Sequence, residues 1–508
     1  MKPPSTLARV LRTLRPAPLC ALGTVAIIAW VAMIPHSSLA AAQPDDGKPG
    51  DNPVTLRPCF DPHASPAGGG ASRPSPCKDR NQLTGEELFE LPFPGARNER
   101  SCATCHVPED NFTLTPAHVE RLLQKNPKDP LFNAIDADDP NAKTLTYEHL
   151  KKGLIRVWLT LPANMDLIDE GGNVTTPSDR KIFVWRAVPS IADVALTAPY
   201  QLDGREATLE QQAQGAVTSH SQGGTISRKE LARIADFERT VFSSERARWV
   251  ARGAAFDVED MLVLTPAETR GREVYKNVCA SCHGGGNKTT IVDRVVHDMA
   301  FPLLKSDGSG TVAYQVPATT PSTALLAAQP HNEFINVGSA DENYLAQMGQ
   351  TEHVSFTKDL SYPIYRFRFY TDASRQVVTA ELPPALPPEN PFKPGVDADK
   401  NPINGPNFSP QLYTTDPGRA AITGNPYDFE AFDIPTLRGI AKTAPYWHNH
   451  ISGTLAEVVE LYSDHLLTKF PTLTQPGEKE PDPDGDIGPE QAMTRQQKDD
   501  LVAFLKRL

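Results

Sequence analysis

Two pentapeptides constrain this chain more than anything else in it: Cys102-Ala103-Thr104-Cys105-His106 and Cys279-Ala280-Ser281-Cys282-His283. C-x-x-C-H is the attachment signature of a c-type haem. Two thiols three residues apart on a helical turn form thioethers to the two vinyl groups of one porphyrin. The adjoining imidazole then serves as proximal iron ligand. A zinc site would need a second closely spaced cysteine pair in register, and the chain has none beyond these two. The expectation is therefore two covalent haems c, held by Cys102, Cys105 and His106 and by Cys279, Cys282 and His283.

The remaining cysteines fit an exported protein. Lys2, Arg9, Arg12 and Arg15 precede an apolar run from Leu19 to Ile34, and small residues around Ala40 to Ala42 offer a cleavage site. This pattern predicts a signal peptide over 1–42 and a periplasmic or secreted mature chain, with no stable membrane insertion after cleavage. The run is short for a membrane span. Cys20 goes with the signal. Cys59 and Cys77 lie in a Pro/Gly/Ser-rich extension, 43–82, where an oxidising compartment permits a disulfide between them. Losing the four positive charges of the signal takes the formal net charge from −12 to −16. Such an acidic surface argues against nucleic acid and suits a small basic redox protein as electron donor or acceptor.

The chain order predicts a mainly α fold of two cytochrome c-like haem domains, 83–250 and 251–508. In the first, Thr84 caps a short helix carrying Leu88 and Phe89 into the first motif. Helical patches are expected at Pro116–Leu123 and Tyr147–Trp158. A closing helix over Ser227–Phe242 places Leu231, Ile234, Ala235, Phe237, Glu238 and Val241 at helical spacing, and all but Glu238 are apolar. The second half repeats the plan. Leu264-Thr265-Pro266 starts a helix through Gly271, Val274 and Tyr275, and Thr494–Leu508 closes the domain. Between them lies a long irregular insertion with one strand-like run, Tyr362–Tyr370, read as a hairpin over the second haem or a substrate surface.

A further repeat relates the halves. Pro189-Ser190-Ile191, Thr197-Ala198-Pro199-Tyr200 and Thr208-Leu209 answer to Pro435-Thr436-Leu437, Thr443-Ala444-Pro445-Tyr446 and Thr454-Leu455 at a constant offset of 246 positions. Duplication is the simplest origin. The haem motifs are only 177 positions apart, so the second half carries about 69 extra residues between motif and repeat. After Leu455 a helix runs through Tyr462 and His465, whose counterparts are Ala216 and Ser219. The second iron thus has a candidate sixth ligand and the first has none in the matching place. A five-coordinate iron binds peroxide or dioxygen, whereas a six-coordinate one mainly passes electrons.

Both C-x-x-C-H motifs, Pro189-Ser190, Asp203-Gly204-Arg205, Thr208-Leu209-Glu210 and the stretch Ile434–His448 together resemble the bacterial dihaem cytochrome c peroxidase family, which includes MauG. The resemblance spans roughly Leu83 to Leu508 and implies two helical haem domains with the haems near their interface. The peroxidases place a methionine ligand where this chain has Tyr462; MauG has tyrosine there. His465, one turn on, is the rival ligand. His448 matches a residue expected near a haem propionate. The family's tryptophan between the haems is replaced by Leu202, with Trp185, beside Arg186, as a candidate substitute. Its catalytic glutamate is missing, leaving His220 and Gln222 as candidate proton-handling residues. Its calcium-binding asparagine falls at Ala187, which argues against calcium.

Three functions follow from this resemblance. The first is peroxide-dependent oxidation, as a peroxidase or a MauG-like oxidase of an organic substrate, with catalysis at the first haem and electron storage at the second. The second is a dioxygenase resembling the dihaem rubber oxygenases, binding dioxygen at the first haem and cleaving carbon–carbon double bonds. The third is an electron-transfer cytochrome, which would need Met165 or His118 on the first iron.

Overall fold

The computed structural model describes residues 80–280, 282–286, 339–349, 351–370, 374–375, 413–424, 428–463 and 493–508, with short strands at 303–304, 311–312, 334–335 and 378–381. The signal segment, Cys59, Cys77 and His465 lie outside the described residues. The fold is mainly helical with some sheet.

Two helix pairs frame the haem motifs. Helix α1 (Gly85–Glu90) starts at Thr84, whose side chain accepts from the Glu87 amide while the Glu87 carboxylate accepts from the Thr84 amide. Helices α2 (Pro116–Lys125) and α3 (Glu148–Lys151) follow the first motif. Helices α4 (Leu209–Ser219) and α5 (Arg228–Glu238) come next, capped in the same reciprocal way by Thr208 and Ser227. Helix α6 (Glu245–Ala251) leads to α7 (Pro266–Val278), which opens on the Thr265 capping box. Beyond it lie α8 (Ser339–Gln347), α9 (Leu455–Leu461) and α10 (Arg495–Leu505).

Helix α1 crosses α5, and α7 crosses α10, in matching ways. A Cβ on Gly85 would run into the carbonyl of Arg233 and the Cβ of Phe237; one on Gly271 would run into the carbonyl of Asp500 and the Cβ of Phe504. Only glycine lets the backbones approach this closely. One turn on, Phe89 meets Phe237 at 5.3 Å between ring centroids and Tyr275 meets Phe504 at 5.4 Å. The crossings therefore pair Phe237 with Phe504, and the next residues, Glu238 with Leu505.

The 246-position repeat has matching backbone features. Asp193 and Gly439 are left-handed (φ 66° and 68°) before a short 3-10 turn in each half. Gln201 and Trp447 have φ of 72° and 76°. Tyr200 bridges Glu206 as Tyr446 bridges Ser452. Thr208 and Thr454 then cap α4 and α9 with the same reciprocal box.

The expected helix over Tyr147–Trp158 is corrected. Only Glu148–Lys151 is helical, and Leu154–Thr160 forms strand β1. With Ile, Val, Trp and Thr among its seven residues, this stretch suits a pleated strand better than a helix. It pairs antiparallel with β3 (Lys181–Ala187), with Arg156 opposite Trp185. Strand β2 (Met165–Leu167) pairs with β4 (Phe367–Tyr370), which pairs in turn with β5 (Val378–Glu381). The strand-like run thus yields strand only over its last four residues. Phe367 and Phe369 are fully buried in a cluster with Val107, Leu114, Leu159 and Met165, against which Cys105 packs. The hairpin covers the flank of the first motif.

Candidate haem sites

The local chain geometry at both motifs suits one-sided attachment. Cys102–Thr104 forms a 3-10 turn, and the amides of Cys105 and His106 both donate to the Cys102 carbonyl at 3.1 and 2.9 Å. In the second motif, the amides of Cys282 and His283 donate to the Cys279 carbonyl at 3.2 and 2.8 Å. No disulfide joins the two thiols of either pair. Burial pushes Cys105 up to about 11 and Cys279 up to about 12. Among the described residues, no group of three His, Cys, Asp or Glu side chains could hold a metal ion.

Both proximal histidines are oriented alike. His106 Nδ1 lies 3.1 Å from the carbonyl of Phe112, and His283 Nδ1 lies 3.2 Å from that of Pro435. A carbonyl only accepts, so Nδ1 carries the proton and Nε2 is left with its lone pair for iron. Burial lowers the pKa of His106, which keeps the imidazole in its neutral, ligating form. The residues present therefore fit a c-type haem at each motif.

Over the second motif, Tyr462 follows the end of α9. Its ring stacks on Trp447 at 5.3 Å, and burial and the nearby Cys282 and Cys279 push its phenol far up. Ala216 stands at the matching place in α4. His220, the residue closing α4, is half-buried; its carbonyl accepts from Asn98 Nδ2 at 2.7 Å. Burial pushes its imidazole down to about 4, against the pull of Asp136. Arg205, Arg100 and His106 act on it in the same direction as burial. Gln222 is exposed, on a left-handed turn with φ 51°. Met165 is buried in β2, and His118 Nδ1 lies 3.8 Å from Asp110.

A buried charge network joins the halves. Arg186 donates from Nε and Nη2 to both oxygens of Asp416 at 2.7 and 2.9 Å, and from Nη1 to Asp203 at 2.5 Å. Arg205 adds a 2.6 Å bond to Asp203, and Arg419 donates to the Asp203 carbonyl at 2.9 Å. His448, 7 % exposed, stacks on Phe432 at 3.8 Å. Its Nδ1 meets Ser339 Oγ at 3.0 Å, and its Nε2 is 4.0 Å from Asp416. Burial pushes it down to about 3. The Leu202 carbonyl accepts from the Asp433 amide at 2.8 Å, and the Ala187 amide donates to the His448 carbonyl at 2.6 Å. Trp185 is 3 % exposed, stacked on His149 at 4.1 Å with the Arg156 guanidinium 4.9 Å over its ring. Asp416 was not singled out from the sequence. Its partner lies 230 residues away, and no local pattern announces such a pair.

A family model described as di-haem cytochrome c peroxidase matches residues 80–246, and one described as cytochrome c oxidase, cbb3-type, subunit III matches 266–311. A 49-residue stretch is 45% identical to cytochrome-c peroxidase IdrP2 of Denitromonas iodatirespirans, covering 10% of this chain and 13% of that protein. Similar solved structures include a MauG-like protein associated with microbial copper homeostasis (20% identity, 83% of this chain and 86% of that one, TM-score 0.35). Another is the diheme peroxidase BthA from Burkholderia thailandensis (15% identity, 83% and 84%, TM-score 0.34). Residues 80–246, about a third of the chain, therefore match the di-haem cytochrome c peroxidase model, and the two motifs carry two c-type haems.

Proposed function

We propose that this is an exported dihaem oxidoreductase that uses hydrogen peroxide, with substrate oxidant bound at the first haem and electrons held at the second. The haem domains, 83–250 and 251–508, are read as products of a duplication. The crossings at Gly85 and Gly271 and the 246-position repeat support that reading. Among the described residues, no helix is long and apolar enough to cross a membrane. The export reading rests on the N-terminal sequence.

The single observation that carries the division of labour is the Tyr462/Ala216 contrast. A phenol beside Cys279 and Cys282 would be the second iron's sixth ligand. The methyl group of Ala216 could not ligate iron, so the first haem would keep a position for a small oxidant. His220 is the group proposed to hold or move a proton at its imidazole beside the first haem. Half-buried and neutral, it accepts a proton readily only while a negative charge develops nearby. His448 is proposed to lie near a haem propionate, and Trp185 to act in packing. A guanidinium over its face raises the cost of removing an electron from the indole.

The lack of a carboxylate at His220-Ser221-Gln222 supports a second reading, dioxygen activation with cleavage of a carbon–carbon double bond, because no acid there would protonate bound oxygen. Electron transfer without catalysis requires both irons six-coordinate. An organic substrate and a small redox partner complete the proposal.

Replacing Tyr462 by Phe tests it. The second haem is expected to change from low-spin to high-spin in electron paramagnetic resonance and absorption spectra, with the first unchanged. An unaltered spectrum would overturn ligation by Tyr462, and a parallel His465→Ala variant would then show whether His465 takes that place.

A further inference from the structure

The crossing helices assign Glu238 an unusual position. Its counterpart, Leu505, is 5 % exposed and belongs to an apolar cluster with Tyr275, Leu455 and Val459, against which Cys279 and Tyr462 pack. That is the side of the second half on which its haem motif packs. In the first half the equivalent place holds a carboxylic acid, 3 % exposed, beside Cys102. Its Oε2 is buried with no hydrogen-bond partner. The adjacent cation, Arg239, is engaged by Glu210 at 2.9 Å and Asp236 at 3.0 Å. The other titratable groups around Glu238 are the Cys102 thiol on the motif turn, Tyr200 ahead of α4, and Glu210 on α4.

An unpartnered buried carboxyl is costly, and a native chain that keeps one beside a haem motif uses it or compensates for it. Burial, partly offset by Arg239 and reinforced by Glu210, pushes Glu238 up to about 8 with no haem charge beside it; the extra positive charge of a ferric haem would lower that value and its loss on reduction would restore it. In a low-dielectric site, a unit change of charge on a neighbouring haem acts strongly on that proton.

We propose that Glu238 is a redox-linked proton site of the first haem, taking up one proton from water when that haem gains one electron and releasing it on reoxidation. In the balanced step, a one-electron donor reduces the ferric haem to ferrous. The carboxylate of Glu238 gains the proton as an O–H bond, so the site's net charge is unchanged. Electron arrival at the first haem is then favoured at lower pH. The proposal rests on the reading that Cys102, Cys105 and His106 hold a haem.

Potentiometric titration of the full-length holoprotein from pH 6 to 9 tests it, after peptide mass analysis of the same sample establishes haem on the 102–106 peptide. The first haem's potential is expected to fall as pH rises, by up to about 59 mV per tenfold change in proton concentration for one proton per electron. In Glu238→Gln this slope should vanish while the second haem's titration is unchanged. A wild-type protein with two haems and a flat first-haem titration, or a Gln variant that keeps the slope, overturns the proposal alone. Absence of haem on the peptide overturns the dihaem reading together with it. Reduced-minus-oxidised infrared spectra of the wild type give a readout that needs no variant. A protonated-carboxyl C=O band must appear on reduction and shift in heavy water, and its absence overturns the proposal.

Discussion

Arg186→Ala is expected to destabilise the folded chain by about 3–5 kcal/mol, the cost of stranding buried charge by removing one partner. Arg186 is 2 % exposed and bonded to two carboxylates that are themselves buried, Asp203 and Asp416. Arg205, at the edge of the network, still reaches Asp203, but Asp416 would keep only the Gly418 amide at 2.9 Å and a distant histidine at 4.0 Å, with no cation bonded to it. Lysine is a poor substitute because a point charge cannot reproduce the forked bond to both Asp416 oxygens. The measurement is the denaturant midpoint, with an unchanged m-value indicating that stability alone has moved. An unfolding free energy within about 0.5 kcal/mol of wild type would mean that the network contributes little. Because Asp203 and Asp416 come from opposite halves of the chain, the same variant should loosen the junction between the two motifs.

Acid should unfold the protein through its buried neutral histidines. His448 and His450 are both under 9 % exposed, and burial pushes them down to about 3 and about 4. His450 Nδ1 also bonds to the Lys152 carbonyl at 2.7 Å. In the unfolded chain each takes up a proton near pH 6.5, whereas in the folded chain each resists until much lower pH. Between those values the unfolded state binds more protons, so stability is fully present above about pH 6.5 and is lost as pH falls. His448 alone accounts for about 3 kcal/mol of that loss by pH 4. Chemical unfolding from pH 7 to 4 should show a declining midpoint, and His448→Gln should flatten the decline. A pH-independent midpoint would contradict the buried neutral state.

Much of this was legible because the chemistry is local. C-x-x-C-H places two thiols and an imidazole within one turn, and Thr84 and Thr265 each open a helix as their neighbours predict. The 246-position repeat recurs in the backbone as equivalent left-handed residues at Asp193 and Gly439. The strand at Leu154–Thr160 was misread because its apolar residues also suit a helical face, and only pairing with Lys181–Ala187 decides between them. The hairpin strand at Phe367 found its partner Leu167 across 200 positions, and Asp416 found Arg186 across 230. Neither is announced by local pattern. Glu238 was visible as a polar residue on an apolar helical face, but its meaning needed the helix crossing that sets it opposite Leu505.

The measurement that tests the central claim most directly is stopped-flow absorption of the fully reduced, anaerobic protein mixed separately with hydrogen peroxide and with dioxygen. Rapid oxidation of both haems by stoichiometric peroxide is the expected result, with little reaction under dioxygen. A persistent dioxygen-bound first haem with sluggish peroxide chemistry would contradict the peroxide reading and favour the dioxygenase. No response to either oxidant would leave an electron carrier.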